Sequence, residues 1–256
     1  MNYPERIKTR LKTNAKLLCN DNPQLSGRNR ETAFVFDALG MNFNSEAYNN
    51  IQTRPNWINR TQKVHTHFND GTLEMQSSNS SDALLMNIFA HPMIQSWKGP
   101  IQLLDINSED DIEFGWNPLF DNENPKFRTE IDMKIGSHIF EAKLTEPSFP
   151  GKEIDVVQEY EDFDIIFNQD HLLLPNGCID NYQLIRNILT AYKYDYTFTA
   201  IIDETRVDMM RDITNTTRAI KLDTVKKRIS FLTWQEIVEV CGNALRDFLQ
   251  RKYFRQ

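Results

Sequence analysis

The sequence predicts an α/β fold, a central mixed sheet with helices packed on it. Three observations carry that prediction. Between residues 81 and 202 the apolar pattern reads helix, strand, strand, strand, helix, strand. A Gly136-Ser137 pair separates two alternating stretches, as a two-residue hairpin turn does. The last stretch opens on Thr233 and Glu236, spaced as a capping box, ahead of a continuous apolar face.

Taken in order, Ile7, Leu11, Leu17 and Leu18 mark an amphipathic helix near the start, studded with Arg6, Lys8, Arg10, Lys12 and Lys16. Pro23 to Arg30 reads as a loop, and about 31–79 carries no dominant period. Ser80 or Ser81 caps a helix running to about Ser96, with Leu84, Leu85, Ile88 and Phe89 on its apolar side. Ile101 to Asp105 and Ile112 to Trp116 read as short strands, and Asn117 to Lys126 as a loop. Thr129 to Ile135 and His138 to Leu144 form the hairpin arms. Thr145 to Ile179 stays unassigned. A helix opens at Asp180 and runs to about Tyr192, with Gln183 at a capping-box position. Tyr196 to Ile202 and Ile229 to Leu232 are strands, and one helix carries Ile237 through Leu249. This divides the chain into an extension, 1–79, packed on a domain spanning 80–256.

Composition bounds the function. With 40% hydrophobic and 25% charged residues the chain has the balance of a folded domain, not of a disordered one. No apolar run approaches the roughly 20 residues of a membrane span, and the basic start has no signal-peptide centre. Three scattered cysteines argue against a disulfide framework and fit a reducing cytoplasm. The net charge of −7 is unusual for a nucleic-acid binder, so any such surface must be a local basic patch.

The hairpin concentrates the chemistry. With Gly136-Ser137 as the turn, Ile135 opposes His138, Met133 opposes Phe140, and Asp132 opposes Glu141. Glu130 then faces Lys143. One face is mostly apolar; the other carries Glu130, Asp132, Glu141 and Lys143. Two carboxylates directly across a ladder repel each other, and a divalent cation between them removes that repulsion. Carboxylate oxygens with water and phosphate are the ligand set magnesium takes. Lys143 on the same face suits charge developing on a phosphate. The plainer reading is a solvated strand face with an ordinary Glu130–Lys143 ion pair.

The run Glu130-Ile-Asp-Met-Lys-Ile-Gly-Ser-His-Ile-Phe-Glu-Ala-Lys-Leu144 resembles the signature of the PD-(D/E)XK nuclease superfamily, an Asp on one strand and Glu-X-Lys on the next. That superfamily's core is helix, three strands, helix, strand, the order read above. Ser80-Ser-Asp-Ala-Leu-Leu-Met-Asn-Ile-Phe89, Glu141-Ala-Lys-Leu-Thr-Glu-Pro-Ser-Phe149 and Tyr182-Gln-Leu-Ile-Arg-Asn187 are similar to a bacterial family of restriction endonucleases. The resemblance covers roughly the middle half of the chain. It implies a restriction-endonuclease-like fold, hydrolysis of DNA phosphodiester bonds, and Mg2+ or Mn2+ held by Asp132, Glu141 and the backbone carbonyl of Ala142. Lys143 would assist catalysis. Ile131 stands where relatives often carry Pro, and Asp82 is the nearest counterpart of their first-helix Glu. A homodimer is compatible with this reading. The rival readings are a catalytically silent nucleic-acid-binding module of the same fold, and a structural or regulatory protein without metal.

Other residues carry weaker signals. Gln183 and Arg186 could reach the metal site or a phosphate, although capping accounts for Gln183 equally well. Glu146 and Ser148 could line the mouth of the site, or simply serve a proline-rich loop. His65 and His67 have metal-pair spacing with no third ligand nearby in sequence. Trp234 reads as a core anchor. Lys8, Arg10 and Lys12 are candidates for DNA-backbone contacts, or form a solvated helix face.

Overall fold

A computed structural model describes residues 2–68, 70–119, 130–160, 162–172, 174 and 176–255. Contacts divide the chain into two compact units, one of residues 1–110, 142–145 and 234–256, the other of 111–141 and 146–233.

The first unit is mainly helical. Its elements are α1 (Tyr3–Asp21), β1 (Gly27–Asn29), β2 (Phe34–Phe36), α2 (Ser45–Ile51), α3 (Pro55–Thr61), α4 (Ser81–Phe89) and α5 (Lys98–Leu104). β1 pairs antiparallel with β2, so the stretch read as a loop between Pro23 and Arg30 contains a short strand. Phe34 and Phe36 of β2 pack on Ala15 of α1. Ser80 caps α4 by accepting from Ala83 N at 3.1 Å. The helix ends at Phe89, and a 3-10 turn at Ile94–Ser96 takes the place of its expected last turns. Ile101 to Asp105 is helical, not a strand. A five-residue apolar run has no period of its own, and here Asp105 stops α5 in the left-handed region at φ 51.

The second unit holds the sheet. Its strands are β3 (Ile112–Trp116), β4 (Ile131–Ile135), β5 (His138–Ala142), β8 (Thr197–Ile202) and β9 (Ile229–Thr233), in spatial order β3-β4-β5-β8-β9. β3, β4 and β5 are antiparallel neighbours, and β9 runs parallel to β8, so the sheet is mixed. Between β5 and β8 the chain forms β6 (Lys152–Glu153), α6 (Ile154–Gln158), α7 (Phe163–Ile166), β7 (Cys178–Ile179) and α8 (Tyr182–Lys193). Helices α9 (Val207–Arg218) and α10 (Asp223–Lys226) follow β8. Leu184, Ile185, Ile188 and Leu189 of α8 join Ile139, Phe198, Ala200 and Ile202 in one core, so the helix buries its apolar stripe on the sheet. Asn117 to Leu119 carry no helix or strand, as expected of the loop's start; the rest of that loop and the strand start at Thr129 lie outside the described residues.

The closing elements return to the first unit as α11 (Trp234–Glu239) and α12 (Asn243–Leu249), continued by a π-helical turn at Gln250–Phe254. One continuous helix was expected here. It breaks at Gly242, where any Cβ would collide with the Trp97 ring. The same unit brings first and last elements together: Asn14 Nδ2 donates to Arg255 O at 3.1 Å, and the Arg10 guanidinium lies 5.7 Å from the Phe254 ring centre.

Candidate active site

Gly136 at φ 55 followed by Ser137 without a positive φ is the type II′ pattern, and Gly is there because that φ is costly for any other residue. The turn sets the register Ile135↔His138, Lys134↔Ile139, Met133↔Phe140, as the alternation predicted. Continued one step, the same register puts Asp132 opposite Glu141.

The surroundings differ from a solvated hairpin face. Every residue of β5 is buried, because the strand lies in the middle of the sheet and is covered on both sides. Glu141 is 0% exposed and Lys143 9%, whereas Asp132 is half-buried. An exposed ion pair is therefore not what Lys143 forms. The Lys143 carbonyl accepts from the indole of Trp234 at 2.9 Å, and Trp234 is itself fully buried, a core anchor as expected.

Two amides from α8 hold the Glu141 carboxylate. Gln183 Nε2 donates to Oε1 at 2.5 Å and Asn187 Nδ2 to Oε2 at 2.9 Å. Residues four apart share one face of a helix, so the pair reaches the same carboxylate from successive turns. The capping-box role for Gln183 does not hold. Asn181 occupies the N-cap at φ 54 with no side-chain cap bond, and the Gln183 amide is spent on Glu141. Asn187 was not singled out from the sequence. Its spacing from Gln183 was a usable signal, but only once Glu141 was known to lie beneath the helix. Stripping one donor from a buried carboxylate costs on the order of 1–2 kcal/mol. Asn187→Leu is therefore expected to lower the unfolding free energy, read from urea denaturation, by that amount, and a stability equal to wild type would show that the amide does not hold Glu141.

The donor set suits a hard divalent cation: the carboxylates of Asp132 and Glu141 and the carbonyl of Ala142 are all oxygens. A further observation agrees. Among the described residues, Asn187 Oδ1 is buried without a hydrogen-bond partner, an unsatisfied acceptor on the same side chain that grips Glu141. No cluster of three or more His, Cys, Asp or Glu side chains fit for a metal occurs among the described residues, so any ion here relies on two carboxylates plus neutral oxygens. His65 and His67, with ring centres 5.8 Å apart, gain no third ligand among the described residues. The His65 ring stacks on Phe68 at 3.9 Å.

Asp82 is in the first turn of α4, buried, and ion-paired with Arg60 at 2.9 Å. Arg186 of α8 is fully buried. Lys8 pairs with Glu5 at 3.1 Å, and Lys12 donates to the carbonyls of Arg30 and Glu31 at 2.6 and 3.1 Å. With Arg10 against Phe254, Lys8, Arg10 and Lys12 are each engaged within the chain. After the Glu-X-Lys strand, Ser148 is exposed and Glu146 half-buried. The loop they share is held by Arg206, a residue sequence reasoning missed. Its Nη1 donates to Glu146 O at 2.7 Å and its Nη2 to Pro147 O at 3.1 Å, while Nε and Nη2 each reach the Asp208 carboxylate at 2.9 Å.

A helix, three antiparallel strands, a helix and a further strand, with paired acids on the central hairpin, define a protein with a restriction-endonuclease-like fold. A family model described as "Restriction Endonuclease associating with ARP" matches residues 10–254, and the chain belongs to that family. No curated protein and no solved structure matches it. Among the described residues, no helix is long and apolar enough to cross a membrane.

Proposed function

We propose that the chain is a divalent-cation-dependent endonuclease that hydrolyses phosphodiester bonds in DNA. The observation that supports this most is the Glu141 carboxylate, wholly buried yet gripped by two neutral amides, on the hairpin that carries Asp132. A buried acid held by fixed donors is preorganised as a ligand. Asp132, Glu141 and the Ala142 carbonyl would hold Mg2+ or Mn2+. The chemistry such a cation supplies when bound is Lewis acidity toward the phosphodiester. Gln183 and Asn187 orient Glu141, so its oxygens need no reorganisation as substrate arrives. Lys143 contributes an ammonium that offsets negative charge gathering on the phosphate. Arg206 fixes the backbone of the loop that leaves this strand.

Incubation with supercoiled, linear and single-stranded DNA, in magnesium, manganese or EDTA, tests the reading directly. Cleavage in either metal and none in EDTA is the expected result. Failure on all three substrates in both metals would leave the binding module as the better description. Millimolar magnesium is also expected to raise the melting temperature of wild type and not that of Asp132→Asn/Glu141→Gln. Equal shifts in the two proteins would place the cation away from the hairpin.

A further inference from the structure

The outer strand β9 and the helices α9 and α10 enclose an open cavity of about 510 Å3, a volume in the range of small-molecule sites. Thr214, Thr217, Arg218, Lys226, Ser230 and Phe231 carry its polar and aromatic lining. The lining holds two cations and no carboxylate, in a protein whose net charge is −7. Arg218 has no carboxylate partner among the described residues. Lys226 has only a loose neighbour, Asp223 at 3.7 Å, whose side chain is 85% exposed. Phe231 is 38% exposed, a large aromatic surface left open on an edge strand.

The hydroxyls add acceptors in fixed positions. Thr214 and Thr217 give their protons to the carbonyls of Met210 and Ile213 at 2.7 and 2.8 Å, which turns their oxygen lone pairs outward as acceptors. Ser230 Oγ lies 2.7 Å from Thr199 Oγ1, which lies 2.8 Å from His138 Nε2. These bonds cross β5, β8 and β9 and hold the Ser230 hydroxyl on the sheet face opposite to that of Phe231.

A simple anion would use the cations and leave Phe231 in water. An apolar ligand would bury Phe231 but strip two cations of solvent without partners. A nucleotide satisfies both, with phosphate on a guanidinium and an ammonium, a base stacked on the aromatic ring, and sugar or base donors on the hydroxyls. We propose that this cavity binds a nucleotide, its phosphate between Arg218 and Lys226 and its base over Phe231. The site is separate from the hairpin and does not depend on the reading given for it. The nucleotide is either free or a unit of a single strand, and the test distinguishes the two.

The test is calorimetric titration of the full chain, in EDTA, with dAMP, deoxyadenosine, inorganic phosphate and a ten-nucleotide deoxyadenosine strand. dAMP is expected to bind at least tenfold more tightly than deoxyadenosine or phosphate. Arg218→Ala/Lys226→Ala should weaken it about tenfold or more, and Phe231→Ala about fivefold or more, the loss expected of one stacked base. These positions are exposed or half-exposed, so unchanged melting curves should accompany the losses. If the strand binds more tightly than dAMP and is weakened by the same substitutions, the occupant is a strand; if it binds no better, a free nucleotide. Asp132→Asn/Glu141→Gln should bind dAMP like wild type. Three outcomes overturn the proposal: no binding of dAMP or strand at millimolar concentration, affinities indifferent to both sets of cavity substitutions, or binding lost in the hairpin variant.

Discussion

Lys143→Met is expected to fold as wild type does and to cleave DNA on the order of a hundredfold more slowly, or worse. The expectation of normal folding rests on burial. Lys143 is only 9% exposed, so its methylene stem is packed and Met preserves most of that volume. The anchoring bond from Trp234 goes to the Lys143 carbonyl, which the substitution leaves in place. Loss of rate without loss of stability therefore isolates the ammonium. Single-turnover cleavage in magnesium, read beside a thermal melt, makes the comparison. Equal rates for the two proteins would remove Lys143 from the chemistry, whatever else the hairpin does.

Arg206→Met should produce the largest loss of stability, about 2–3 kcal/mol. The guanidinium is fully buried and serves three partners at once, the Asp208 carboxylate and the carbonyls of Glu146 and Pro147. Removing one member of a buried pair commonly costs more, but the Asp208 side chain is 25% exposed and water can recover part of the loss. Arg206→Lys should recover little, since a single ammonium cannot reproduce the fork. The effect has a pH signature. Burial pushes the Asp208 carboxyl up, yet the hydrogen bonds and charge of Arg206 outweigh it and hold the group below its ordinary value. A carboxyl depressed in the folded state stabilises the fold above its unfolded pKa, about 3.9, and that contribution disappears as pH falls through the folded value. The gap in melting temperature between wild type and Arg206→Met should thus be full at neutral pH and narrow below about pH 4. A gap that stays constant down to pH 3 would mean that the Asp208 pair contributes little and the two carbonyl bonds most.

The hairpin could be read from sequence because two local signals agreed. Gly136-Ser137 demanded one turn type, and strict alternation on both sides left one register. What alternation cannot show is coverage. Glu141 and Lys143 were legible as sharing a face, but not that the face is roofed, because that depends on a helix more than 40 residues downstream in sequence. Gln183 shows the same limit from the other side. Its position fits a capping box locally, and the competing bond to Glu141 exists only in three dimensions. Arg206 gave no signal, since its partners are two backbone carbonyls and a near neighbour. Where the elements themselves were misread, the cause was shortness or a local break. The run from Ile101 carried too few residues to reveal a helical period, and Gly242 interrupts a pattern that is otherwise continuous from Ile237 to Leu249.

The bond between Asn14 and Arg255 joins residues 241 positions apart. At ribosomal speeds of about 5–20 residues per second, roughly ten to fifty seconds separate the emergence of its two ends. Helix α1 must wait through that interval with Ile7 and Leu11, both buried in the finished protein, lacking their final neighbours. The second unit's sheet is drawn from residues 112–233 and is synthesised in full before the closing helices appear. Its hairpin can form on the nascent chain while α1 is still unseated. Assembly is therefore expected to proceed from the middle of the chain outward, with the first unit sealed last. A protease pulse during translation should find cleavage sites near α1 accessible until residues 243–254 clear the ribosome.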